Sequence, residues 1–409
     1  MTMPVVSRRA VRNSNQEWTG PFVAFASFRT GKSLASRARR CMRLIDDIRP
    51  LFMRGAELPE NTGPHGVGTT RIHVRAPETA GRSGRPIAVQ LWYPTDRTET
   101  DTSKLGWIRR LAHLTWAAAR HDAPLAHSRT KFPLITYVPN DDGRHDDNTF
   151  TLANLASHGF VLAAVADPFR DAGVSAPPIG GEAPRSVAET AALLCAHRIR
   201  CGVKTASAML DGLAALTPDD ARSATWAGRL DLARVGILGY ALGGAVAAAT
   251  TLADPRYVVA ANLDGNRRGH AELIKAPYLL MLSDESVPDK ESPAHTSEAS
   301  PRSGAYRHAQ HQAALPHSHV IEVAETKREH FSDRLVFPSW LASTHQRLPN
   351  FKRIRAIIDS YTVAFFRTYL QSAPHPLMCV RHSPYAEVRF VHAPPEYADW
   401  MHGEPAGRG

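Results

Sequence analysis

The residues best placed to do chemistry lie in one short stretch, Val235-Gly236-Ile237-Leu238-Gly239-Tyr240-Ala241-Leu242-Gly243-Gly244. An apolar strand runs straight into a small-x-X-x-small turn and then into an Ala-rich helix, the context a nucleophile elbow requires. So tight a turn needs glycine-like residues at its flanks, here Gly239 and Gly243. It lifts the central residue to the helix N-terminus, where backbone N–H groups can hold an oxyanion. Tyr240 and Leu242 flank that central position, which is filled by Ala241, and a methyl group cannot attack a carbonyl.

Other clusters read more plainly. Thr30-Gly31-Lys32-Ser33 is similar to the end of a phosphate-binding loop, but Ala26 stands where the partner glycine belongs and no convincing strand precedes it. His308, His311, His317 and His319 have spacings that could bind zinc. Two of them open a predicted strand, the others fall in a predicted loop, and no cysteine or carboxylate framework accompanies them, so adventitious binding is the expectation. No metal or cofactor is expected. Cys41, Cys195, Cys201 and Cys379 make no disulfide framework and no C-x-x-C pair, which points to a reducing compartment and a cytoplasmic location.

The elements that must position the elbow follow from the hydrophobic rhythm. After the Pro/Gly-bounded opening Gly63-Pro64-His65-Gly66-Val67-Gly68, strands at Arg71–Val74 and Ile87–Tyr93 flank the turn residues Gly81-Arg82-Ser83-Gly84 and read as an antiparallel hairpin. Short apolar strands at Leu134–Val138, Val161–Ala166, Val235–Leu238, Val258–Leu263, Tyr278–Leu282 and His319–Val323 then alternate with helical stretches. Long helices fit Ser186–Leu216, Ala241–Leu252 and Phe351–Leu370, the last with Ile354, Ile357, Ile358, Tyr361 and Phe365 on one stripe. Such alternation predicts an α/β fold, a mostly parallel central sheet with an antiparallel N-terminal hairpin and helices on both faces. Leu105–Arg120 reads as an inserted amphipathic helix, within a lid or insert at 101–130 or as ordinary surface packing. Residues 285–305 read as an exposed loop, and Glu387–His392 as the one strand of the tail. The domain reading is an N-terminal arm at 1–60, a main domain at 61–370 and an extension at 371–409.

Four segments carry a resemblance. They are the opening at Gly63–Gly68 with Leu91-Trp92-Tyr93-Pro94; the stretch from Asp147-Asn148-Thr149-Phe150 to Leu155-Ala156-Ser157-His158-Gly159-Phe160-Val161; the elbow; and Asp254-Pro255-Arg256 leading to Asn262-Leu263-Asp264-Gly265. From about Gly63 to Leu370 the chain resembles an α/β-hydrolase of the platelet-activating-factor acetylhydrolase and dienelactone-hydrolase branch. The resemblance implies an α/β-hydrolase fold and carboxylic-ester hydrolysis by a serine, an acid and a histidine. The family's serine falls on Ala241, and its acid on Asp264, with Asp284 as the alternative. Its histidine, from an "H-x-x-F-x-D" pattern, is carried to His330 in Glu329-His330-Phe331-Ser332-Asp333. The oxyanion loop falls on Tyr137-Val138-Pro139-Asn140-Asp141-Asp142-Gly143, where a carboxylate pointing inward opposes the charge that Pro139, Asn140, Asp141 and Leu242 would surround.

With 409 residues, 43% of them hydrophobic and 22% charged, the chain has the composition of a soluble globular protein. Its longest apolar run near the start, Pro21–Phe28, is far short of a membrane span. The net charge of +10 is concentrated in residues 1–44, which hold nine Lys/Arg and the single acid Glu17. The rest is nearly neutral, so no nucleic-acid partner is expected. The Arg/Ser-rich arm suits disorder, contact with an acidic surface or a cleavable presequence. Three functions fit: a family-derived ester hydrolase silenced at Ala241, by evolutionary loss or by Ser→Ala replacement; a non-catalytic protein holding a small acyl ester or lipid-like ligand; and a lyase, isomerase or cyclase using His330 as base. Oligomeric state is left open.

Overall fold

Short strands whose residues alternate between two apolar clusters build one sheet, as the pleat requires. The computed structural model describes residues 60–75, 86–96, 119–141, 147–165, 168–169, 186–218, 224–265, 272–287, 301–333, 351–380 and 382–391. All belong to one unit, Glu57–Gly409. The strands are β1 (Gly66–Arg75), β2 (Pro86–Thr95), β3 (Arg120–His121), β4 (Phe132–Val138), β5 (Val161–Val165), β6 (Leu230–Tyr240), β7 (Tyr257–Leu263), β8 (Tyr278–Ser283), β9 (Ser318–Val323) and β10 (Val388–Phe390). They form a ten-stranded sheet in the order β10-β9-β8-β7-β6-β4-β5-β2-β1-β3. The run from β5 through β4, β6, β7 and β8 to β9 is parallel. The β1–β2 hairpin joins it antiparallel through β2 and β5, and β10 is antiparallel to β9.

Helices cover both faces. On one side α1 (Thr149–Ser157) and α5 (Phe351–Leu370) pack against Ile135, Tyr137, Leu238, Tyr240, Val259 and Met281. On the other, α2 (Val187–Ala214), α3 (Leu242–Ala253) and α4 (Pro301–Ala313) meet Leu134, Val138, Val235, Ile237, Ala260 and Leu280. The Ser186 side chain caps α2 by accepting the Glu189 N–H at 3.1 Å. Among the described residues no helix is long and apolar enough to cross a membrane.

Two expectations need correction. Residues 301–305 are not loop but the first turns of α4, which its polar composition conceals. The end of the predicted helix Leu105–Arg120 is extended instead: Arg120 pairs with Gly68, and the following segment runs along the hairpin through Asp122 N–H to Thr69 O at 2.8 Å and Ala126 N–H to Pro94 O at 2.9 Å. The rest of that helix, the Thr30–Ser33 motif, Cys41 and the N-terminal arm up to residue 59 lie outside the described residues.

Candidate active site

The elbow is built as its sequence requires. Ala241 links β6 to α3 with φ 50° and ψ −116°, a backbone conformation costly to any residue with a Cβ. A Cβ on Gly239 would stand 2.0 Å from the Gly243 carbonyl oxygen, and one on Gly243 2.0 Å from that of Val138 and 2.4 Å from that of Pro139. No other residue fits either place. The Ala241 N–H is tied to the Leu263 carbonyl at 2.9 Å, so the elbow is seated between the ends of β4 and β7.

After β4 the chain is held by Asp147. Its carboxylate accepts from the Tyr137 hydroxyl and, at 3.3 Å, from the Asn140 N–H. Asn140 turns its side-chain oxygen to the Leu242 N–H at 3.3 Å, a long bond that occupies the donor an oxyanion would use. Asp141 does not oppose that donor. Its carboxylate pairs with Arg198 on α2 at 2.9 Å, both side chains about half exposed, so the charge is compensated at the surface. Asp142 lies outside the described residues.

The two candidate acids differ sharply. Asp284 is exposed and its carboxylate accepts the Glu325 N–H at 3.3 Å, serving the turn after β9. Asp264, directly after β7, is buried with φ 55°. One oxygen accepts the Ser283 N–H at 2.9 Å, and the other meets Nε of Arg328 at 3.0 Å. That contact is the one the sequence reading reserved for His330. Burial works against the Arg328 charge, but the Asp264 carboxylate outweighs it and holds the guanidinium above its ordinary pKa.

His330 sits two residues further along the 3₁₀ turn Arg328–Phe331 and is buried. Its Nδ1 folds back on its own turn, accepting the Lys327 N–H at 2.8 Å with the Lys327 carbonyl 3.2 Å away. Burial pushes its pKa below the usual histidine value. The expected imidazole–carboxylate link is therefore replaced by a guanidinium–carboxylate one. The turn is docked to the elbow all the same, since the Tyr240 hydroxyl donates to the Arg328 carbonyl at 3.1 Å.

A buried polar network fixes these parts together. Asp333 donates its N–H to the Asp147 carbonyl at 2.7 Å, while its carboxylate accepts from Thr149 Oγ1 at 2.6 Å and from Arg355 Nη2 at 2.8 Å. Arg355 and Asp333 are 1% and 0% exposed. One guanidinium on α5 thus fixes both the Arg328–Phe331 turn and the loop that carries Asn140. Sequence reasoning missed Asp147, Asp333, Arg355 and Arg328. Three left a trace: Asp147 opens one of the quoted segments, Asp333 is the D of H-x-x-F-x-D, and Arg328 is the residue three before Phe331 in that spacing.

His308 and His311 lie on α4 rather than in a loop, and buried His319 on β9 has Nε2 2.8 Å from the Tyr369 hydroxyl. Among the described residues no three His, Cys, Asp or Glu side chains gather closely enough to hold a metal ion. Cys195, Cys201 and Cys379 are free thiols.

No known family model and no curated protein matches the chain. Among solved structures, a ferulic acid esterase from Streptomyces cinnamoneus is similar to it over 81% of this chain and 99% of that one, with a TM-score of 0.57 and 23% identity. The likeness shows the fold alone, an α/β architecture on a mostly parallel sheet.

Proposed function

We propose that this protein is a silenced relative of the acetylhydrolase-type carboxylic-ester hydrolases, which holds a small acyl ester or lipid-like ligand without cleaving it by the serine route. The observation that carries this reading is Ala241: the backbone keeps the elbow's left-handed φ of 50° while the side chain offers no nucleophile. Removing the serine of a triad lowers kcat by about 10⁶, and what survives comes from the oxyanion hole and binding. Here the Leu242 N–H meets Asn140 through a long 3.3 Å bond, which an oxyanion would have to displace, so that donor adds little to an elbow that already lacks its nucleophile.

A lyase, isomerase or cyclase reading gains nothing from the geometry. A base held by an acid carries its proton on Nδ1 and leaves Nε2 bare. The Nδ1 of His330 is taken up by the Lys327 backbone, 2.8 Å from its N–H and 3.2 Å from its carbonyl oxygen, rather than by a carboxylate.

The test pairs turnover with binding. Short p-nitrophenyl esters and methyl ferulate, the latter suggested by the structural neighbour, are expected to hydrolyse no faster than in buffer. The same esters should raise the melting temperature in a saturable way. An acyl adduct in the mass spectrum, or catalytic turnover by the unaltered chain, overturns the proposal.

A further inference from the structure

We infer that Arg328, not His330, occupies the base position of this site, so that nucleophile and base have both been lost while the acid remains. Four observations converge. Asp264, at the end of β7, gives the carboxylate oxygen a base would lean on to Arg328 Nε at 3.0 Å. Arg328 opens the turn that the Tyr240 hydroxyl docks against the elbow, through the Arg328 carbonyl at 3.1 Å. His330 is two residues on in a helix of three residues per turn, so the two side chains leave the axis about 120° apart and do not share a target. Finally, the F and D of the H-x-x-F-x-D spacing are Phe331 and Asp333, and counting back three residues from Phe331 lands on Arg328.

The exchange is chemically coherent. A guanidinium stays protonated throughout the working range and cannot take a proton from a hydroxyl. It can, however, replace an imidazolium as counter-charge for the acid. The Asp264 side chain is fully buried, and without a cation it would be a lone carboxylate inside the protein. Arginine therefore preserves the electrostatics of the site and removes its proton transfer. Restoring the hydroxyl alone should leave an elbow with no base. Restoring both lets the serine oxygen bond to the acyl carbon as its proton passes to the imidazole. The ester C–O bond then breaks as that proton moves to the leaving alcohol, and water repeats the sequence to release the acid.

This inference rests on the reading above, that the unaltered chain does not hydrolyse esters. The experiment compares the unaltered chain, Ala241→Ser and Ala241→Ser with Arg328→His on p-nitrophenyl butyrate between pH 5 and 9, with melting curves for each. Ala241→Ser alone should stay within about tenfold of the unaltered chain, because it lacks general-base help. The double variant should exceed it by about 10²–10⁴-fold, the usual contribution of a positioned base. Its rate should climb through about pH 6–7, where an imidazole loses its proton. Equal rates in the two variants, or a folded double variant as inert as the unaltered chain, overturn the inference.

A measurement on the unaltered chain guards against misfolding: nitrogen NMR should find no hydrogen bond from Nδ1 of His330 to a carboxylate, in keeping with its contacts to the Lys327 backbone. An Nδ1 proton on His330 bonded to a carboxylate also overturns it. Ester turnover by the unaltered chain would sink the pseudo-hydrolase reading first, so the two failures are distinguishable.

Discussion

Replacing Arg355 by methionine should remove the counter-charge from two buried acids, Asp333 and Asp359. The methionine keeps much of the length and the apolar stem, so packing changes little. It deletes the 2.8 Å bond to Asp333, the contact with Thr151 and the nearby positive charge that lowers the pKa of Asp359. Asp333 keeps Thr149 Oγ1 at 2.6 Å and the Phe150 N–H at 3.3 Å, two donors for a carboxylate with no exposed surface. Breaking one partner of a buried pair typically costs about 3–5 kcal/mol, and that is the loss expected at pH 7. Burial already raises the carboxyl pKa of Asp333, and that of Asp359 to about 6, so both acids protonate more readily than usual. A neutral carboxyl has little need of the arginine, and the penalty should shrink as pH falls from 7 to 5. Urea unfolding followed by circular dichroism at the two pH values measures it. Adding Asp333→Asn to the methionine variant should cost less than the sum of the single changes, because the acid is no longer left unpaired. A loss below about 1 kcal/mol at pH 7, or strict additivity, would refute the idea that this pair is electrostatically linked.

Three further outcomes are expected. Burial, with His317 nearby, lowers His319 to about pKa 4, so the folded ring stays neutral while the unfolded one takes a proton below about pH 6.5. The His319 contribution is therefore present above that pH and lost as pH falls toward 4. The stability gap between wild type and His319→Leu should narrow by about 2 kcal/mol from pH 7 to 4.5, and parallel curves would contradict this. The difference is the readout because Asp359, raised to about 6, runs the opposite way in the same window. Gly243→Ala should cost more than about 4 kcal/mol or abolish soluble expression, since the new carbon would stand 2.0 Å from the Val138 carbonyl oxygen, and a well-folded variant would show the elbow to be looser. Asp141→Asn should shift stability by less than about 1 kcal/mol, as its partner Arg198 is itself about half exposed; a larger loss in a urea titration would mean the pair is less screened than its exposure implies.

Much of this architecture was legible as periodicity. The hairpin, the parallel strands and the stripe of Ile354, Ile357, Ile358, Tyr361 and Phe365 all rest on local alternation, and the structure carries them with strands a few residues longer. α1 escaped because it is buried all round, so no polar face marks its turn. α4 escaped for the opposite reason: its long polar run, with few apolar anchors such as Ala309 and Ala313, reads as loop. At the site the elbow was visible because its constraints are local. The partner of Asp264 was not, since sixty-four residues separate it from Arg328 and only three-dimensional contact decides which side chain of the turn arrives. The outward pairing of Asp141 was hidden in the same way, for its partner Arg198 is fifty-seven residues away.

The guanidinium that ties these loops together belongs to a helix spanning Phe351–Leu370, whereas its partners Asn148, Thr151 and Asp333 all come earlier in the chain. During synthesis the ribosome must therefore extrude nearly all of the main fold before the interior carboxylates meet their cation. Until then the half-made protein carries acids that prefer water to burial. Closure around the Asp333 carboxylate thus waits for the helix that carries Arg355, and chains cut short before residue 355 should be degraded rather than accumulate as a compact core.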